Sequence, residues 1–190
     1  MMYRTHMVAS VVASTAVIPT LDKLNLIDNS NVLSVGLVFA GGILGAFLPD
    51  IDSPNSKIRR FIRKKLTGNP TPKKNIINHR REPHMPLIWA ILFSSILFFV
   101  KEPILLTFIY GLIVGVYSHL FIDMFNPAGI PLYGPISKRR VSIMFIKASS
   151  VGEYIFLFLL LGLEAYMLFV LKMQDLHELL LFEKTLMELV

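Results

Sequence analysis

Five apolar stretches, His6–Pro19, Val32–Leu48, Pro86–Val100, Pro103–Ile122 and Val151–Leu171, restrict this chain more than any other feature. Each suits a helix that enters or crosses a bilayer, where every backbone N–H and C=O must be bonded within its own segment. Most fall a little short of the ~20 residues of a perpendicular span, so partial insertion or local thinning of the bilayer is expected. The first stretch is the most polar, interrupted by His6, Ser10, Ser14 and Thr15. Although Ala13-Ser14-Thr15-Ala16 imitates a cleavage site, the stretch lacks the uniform apolar core of a signal peptide and reads as a retained helix. A mean hydropathy of +0.60 with 17% charged residues is far too apolar for a soluble chain of 190 residues. The expected fold is therefore all-α: an integral membrane bundle of about five hydrophobic helices over 1–171, followed by an amphipathic helix over 172–190.

The loops hold the charge. Arg4, ten Lys and Arg between Lys57 and Arg81, and Lys138, Arg139, Arg140 and Lys147 make fifteen of the nineteen basic residues. With the N-terminus inside and five spans, all fifteen fall on one side, and only Lys23, Lys101, Lys172 and Lys184 on the other. Since Lys and Arg near span ends favour the cytoplasm, this partition predicts N-in, C-out. The run Lys57–Lys65 is expected to meet anionic lipid headgroups. Topology accounts for such a loop first, so nucleic acid is an unlikely partner. Gly41, Gly42, Gly45, Gly111 and Gly115 read as places where two helices approach closely.

The titratable residues fall on the basic side. His6 opens the first helix, Leu48-Pro49-Asp50-Ile51-Asp52 closes the second, His79 and His84 precede the third, and His119 and Asp123 finish the fourth. Four of the five histidines belong to this set, and there is no cysteine, so a transition-metal site must be built from imidazole and carboxylate. His119 and Asp123 are four residues apart, on one helix face, and together can hold one ion. Asp50 and Asp52 follow a proline, which predicts non-helical backbone turning both carboxylates inward, and a divalent cation would remove their repulsion. Pro83 and Pro86 make the segment around His84 a loop. Seven such side chains exceed the four ligands of one zinc, which predicts two or more ions, or one ion with supporting partners. Arg80, Arg81, Arg139 and Arg140 are candidates for forked hydrogen bonds to a phosphate.

In this order, early His6, Leu48 to Asp52, His79-Arg80 with His84, and His119 to Asp123 followed by Asn126-Pro127, Gly129 and Pro135, the chain resembles the YdjM family of bacterial inner-membrane proteins. The resemblance implies a metal-dependent hydrolase, associated in some members with LexA regulation. That family is in turn distantly similar to zinc-dependent phospholipase C and the S1/P1 nucleases, which cleave phosphodiesters. The link implies His119 and Asp123 as the helical ligand pair, with Asp50 and His79 as further ligands. The chain departs from the common pattern where Pro83 replaces a threonine and Met85 a serine, removing two hydroxyls from beside His84.

The expectation is a membrane-embedded hydrolase acting on phosphoester bonds of a lipid or lipid-linked substrate at the cytoplasmic face. His6, Asp50, His79, His84, His119 and Asp123 would hold the metal, zinc or else manganese. Asp52 would bridge or act as general base beside Asp50, and the arginines would bind phosphate. Two alternatives stay open at this point: a transporter that relays protons or cations, and a non-catalytic scaffold with a structural metal.

Overall fold

A computed structural model describes residues 1–50, 82–137 and 139–188, with the backbone alone at 82 and 173–188. Among the described residues five helices form: α1 (Tyr3–Lys23), α2 (Val32–Gly45), α3 (Pro86–Phe99), α4 (Pro103–Asp123) and α5 (Val151–Glu188). Single 3-10 turns at Leu48–Asp50 and Glu82–His84 follow α2 and precede α3. There is no strand among the described residues, only one antiparallel bridge between Ile130 and Val141. Val32–Asp50, Pro103–Asp123 and Val151–Lys172, of 19, 21 and 22 residues, are long and apolar enough to cross a membrane; α3, with 14 residues, is shorter.

Local sequence explains the boundaries. The Asn31 side chain accepts the Leu33 N–H at 2.9 Å and starts α2. Pro86 and Pro103 occupy first-turn positions of α3 and α4, where a missing N–H costs nothing. At α5 the Ser150 hydroxyl accepts the Glu153 N–H at 3.3 Å. The tail expected to be helical is so through Glu188, continuous with the span preceding it.

The centre of the bundle is the crossing of α2 and α4, and glycine makes it possible. A Cβ on Gly115 would collide with the Gly42 carbonyl oxygen, and one on Gly111 with that of Val38. The Gly41 and Gly45 positions are closed in the same way by the Phe108 and Leu112 carbonyls of α4. In lipid, where apolar burial does not separate helix from solvent, such backbone proximity is what drives helices together. Around this crossing an apolar core of Phe93, Ile109, Val116, Leu120 and Ile130 joins α3, α4 and the strap that follows α4.

α1 carries the reverse of a soluble amphipathic pattern. Thr5, His6, Ser10, Ser14 and Thr15 are all buried, so the polar residues that interrupt its apolar run are its inward side. α5 packs chiefly on α1, and large apolar side chains such as Phe158, Leu159 and Phe169 are exposed, as lipid-facing positions should be.

Candidate metal centre

Three helix ends and one turn meet at a common point. His119 lies one turn past Gly115 on α4, so the close crossing sets its height. Its Nδ1 lies 2.6 Å from the Ala46 carbonyl at the end of α2. A carbonyl can only accept, so Nδ1 carries the proton and the Nε2 lone pair points into the centre. Asp123, four residues on, is 1% exposed. His84 is brought in by its turn, which is pinned on both sides. The Trp89 indole donates to the Pro83 carbonyl at 2.7 Å, and the Tyr117 hydroxyl to the Pro86 carbonyl at 3.2 Å. Asp50 ends the 3-10 turn after α2, and His6 comes from the first turns of α1 with its ring stacked on His119, centroids 3.8 Å apart.

The distances are informative. His84 Nε2 is 3.4 Å from Asp123 Oδ2 and 3.5 Å from Asp50 Oδ1. His6 Nε2 is 3.5 Å from Asp123 Oδ1, and His119 Nε2 is 3.7 Å from Asp123 Oδ2 and 4.0 Å from Asp50 Oδ1. An N–H···O bond is typically about 2.7–3.2 Å, so these pairs are looser than the common hydrogen bond. Two donors on one tetrahedral ion, with bonds of about 2.0–2.1 Å, stand roughly 3.4 Å apart. The donors form two groups, His6 with Asp50 and His119, and His84 with His119 and Asp123; within each the donor atoms lie inside 4.8 Å of one another.

Buried polarity supports the same fit. Both ring nitrogens of His6, and Nε2 of His119, have no hydrogen-bond partner among the described residues, and the two side chains are 2% and 0% exposed. Leaving such groups unsatisfied is costly. Three neutral imidazoles and two carboxylates match the preferences of zinc or manganese and would carry a divalent charge to near neutrality.

His84 lies outside the spans. Burial disfavours its imidazolium, but the Asp123 and Asp50 carboxylates outweigh that and hold its pKa above the ordinary histidine value. A cation must therefore displace a proton from His84. Zinc affinity should already be falling as pH drops through the raised His84 value, above about 6.5, and zinc addition in that range should release protons. Calorimetry in two buffers of different ionisation enthalpy measures the release; identical heats in both would contradict it.

Of the residues expected at the site, the structure brings together His6, Asp50, His84, His119 and Asp123. Asp52, His79, Arg80 and Arg81 lie outside the described residues. Arg139 and Arg140 are exposed on the strap after α4, where Arg140 Nη1 donates to the Ala128 carbonyl at 3.2 Å. Two features escaped the sequence reading. Glu153 is wholly buried and grips the start of α1, and its signal was the capping-box spacing of Ser150-Val151-Gly152-Glu153. Asp123 Oδ1 also lies 3.4 Å from the Met1 amino group, a contact no spacing rule foretells.

Comparison with known proteins identifies a family of membrane proteins. A family model described as YdjM inner membrane protein matches residues 1–182. The inner membrane protein YdjM of Escherichia coli (strain K12) is 33% identical over 106 residues, 54% of this chain and 51% of that one. The protein of the same name from Shigella flexneri gives the same values. The protein YvsG of Bacillus subtilis (strain 168) is 32% identical over 129 residues, 64% of this chain and 71% of its own length. The chain thus spans about half the length of the first two relatives. No solved structure matches.

Proposed function

The chain belongs to the YdjM inner membrane protein family, and on that premise we propose that it is a membrane-embedded, metal-dependent hydrolase of phosphoester bonds in a lipid or lipid-linked substrate. The observation that carries the proposal is the convergence of five buried or half-buried donors, from distant parts of the chain, at the separations expected of ligands on a shared cation.

His119 has one lone pair to give, because its Nδ1 is engaged by Ala46. It therefore serves a single ion, with a second drawing on the remaining donors and on Asp52 and His79. Divalent ions held there supply positive charge that polarises a phosphoryl oxygen and lowers the pKa of an attacking water. The chain's own residues do the rest. The stacked His6 and His119 rings close one side of the centre, and the half-exposed Asp50 stands at its open side, as a group that takes a proton from water must. Arg139 and Arg140, on the strap leaving Asp123, would bind the phosphate. A centre at the ends of spans meets a lipid at headgroup level, without extracting its acyl chains. The basic loops favour a cytoplasmic position for that face and for the N-terminus.

The test is metal analysis of the purified protein followed by a headgroup-resolved lipid turnover screen. Stoichiometric zinc or manganese is expected, with content reduced in Asp50→Ala; content unchanged by that substitution would remove the proposal. Metal without turnover on any phosphoester would favour the scaffold. Stripping the ion should also lower the melting temperature. An ion present at about 1,000 times its Kd stabilises by roughly 4 kcal/mol, so a chelator that leaves the transition unmoved would contradict a tight site.

A second reading rests on a different residue. Glu164 lies within the apolar stretch Val151–Lys172 and accepts the Thr15 hydroxyl at 2.7 Å, and carboxylates at membrane depth often relay protons. Flux into vesicles that stops in Glu164→Gln would support it. A hydrolase turns over detergent-dispersed substrate with no gradient.

A further inference from the structure

Glu153 is 0% exposed and is not one of the five donors. Its carboxylate is fully engaged. Oε1 accepts the Thr5 hydroxyl at 3.0 Å and the Met2 N–H at 2.5 Å, and Oε2 accepts the Ser149 N–H at 2.6 Å. The contact to Ser149 belongs to the start of α5, where the Ser150 hydroxyl accepts the Glu153 N–H, half of a capping box, and the Glu153 carboxylate takes the N–H one residue earlier than the full motif would.

The other contacts reach across to α1. Met2 is the N-cap of α1, and its side chain caps nothing. In a capping box the N-cap N–H is taken by a Glu or Gln three residues on. Here that position is Thr5, too short to reach back, and Glu153 of α5 takes the N–H in its place. The Met2 carbonyl in turn accepts the N–H groups of Thr5 and His6 at 3.1 and 3.4 Å. One carboxylate at the N-termini of two helices, where the helix dipoles favour negative charge, therefore fixes the turn of α1 that presents His6.

A similar pairing recurs higher up, between Thr15 and Glu164. Both pairs tie α1 to α5, but only the lower one adjoins a metal donor. The ladder supplies its own control.

We propose that Glu153 is a positioning residue of the metal centre: by holding Met2 and Thr5 it sets His6 against His119 and Asp123, and through His6 it sets the affinity for a divalent cation. The affinity part rests on the metal reading above; the geometric part stands without it. Metal–ligand distances tolerate only about 0.2 Å, and removing a partner that orients a ligand typically costs about 10- to 100-fold in affinity.

The experiment compares Glu153→Gln, Thr5→Val and Glu164→Gln in the full chain by two measurements. The first is the Kd for Zn2+ alone, by competition with a chromophoric chelator. The second is the position of the His6 imidazole resonances in metal-free, histidine-labelled protein, identified by their loss in His6→Ala. Glu153→Gln should weaken zinc binding about 10- to 100-fold, Thr5→Val by less, and Glu164→Gln not measurably. Glu153→Gln added to His6→Ala should cost nothing further, because it acts through that ring. Equal losses in Glu153→Gln and Glu164→Gln, or a full further loss on top of His6→Ala, would overturn the proposal in favour of general loosening. If the unaltered protein binds no zinc, the metal reading fails separately, and the resonances decide the geometric part. His6 signals that move with Glu153→Gln and stay put with Glu164→Gln sustain it; signals unmoved by both overturn it. Should Glu153→Gln fail to fold, Thr5→Val, which keeps the carboxylate, takes its place in both measurements.

Discussion

His119→Ala should abolish phosphoester turnover and cost the protein the ion that His119 holds, a loss of about one equivalent of bound zinc. His119 is the donor shared by both groupings. It is 0% exposed, and it is held by the Ala46 carbonyl in the tautomer that leaves Nε2 available. Removing a direct ligand should cost more than the roughly 10- to 100-fold typical of losing an orienting partner. Asp50→Ala should do less, because Asp50 is the most exposed of the five and the group formed by His84, His119 and Asp123 does not include it. Elemental analysis of both variants, after equal exposure to zinc and gel filtration, measures the order. A His119→Ala protein that keeps a full complement of metal would end the metal assignment.

Gly115→Ala should unfold the bundle or leave it barely stable, an outsized effect for one methyl group. Its Cβ would stand 2.8 Å from the Ala46 nitrogen and closer still to the Gly42 carbonyl oxygen. Both are backbone atoms, so no side chain can swing away and the helices themselves must part. Forcing even flexible core neighbours apart costs about 1–3 kcal/mol, and rigid backbone should place this substitution above that range. Gly36→Ala and Gly162→Ala are the controls, since nothing lies within 4 Å of a Cβ at either. There the gain in helix propensity, about 1 kcal/mol at most, should leave stability equal or slightly raised. The fraction monodisperse in detergent after graded heating separates the cases; equal losses at Gly115 and Gly36 would show that the crossing is not close-packed. Whatever Gly115→Ala protein survives should bind zinc weakly, because parting α2 from α4 pulls Ala46 from His119.

Much of this was legible in the residues because a bilayer forces simple choices. Apolar length marked the helices, and Pro86 and Pro103 marked two of their starts. Glycines at helical spacing on two segments implied the close crossing. The donors were legible because His and Asp are costly in apolar helices, so finding them at several helix ends on the basic side implied one shared site. Their spacing along the chain did not tell which would touch. That depended on the 3-10 turn that carries Asp50 inward and on Trp89 and Tyr117, which anchor the turn of His84. α1 was hardest to read because His6, Ser10 and Ser14 look like interruptions of a span, whereas at four-residue spacing they form one buried stripe. Glu153 was missed because a capping box explains a glutamate within its own helix; that the same carboxylate serves a second helix is a tertiary fact.

The shortness of α3 has a consequence for the lipid itself. Fourteen helical residues rise about 21 Å, against a hydrocarbon layer of roughly 30 Å. Lipids beside α3 must compress or dip to meet it, and α3 begins two residues after His84. The bilayer surface is drawn down next to the candidate metal centre, so acyl-chain length sets how near the headgroups stand to it.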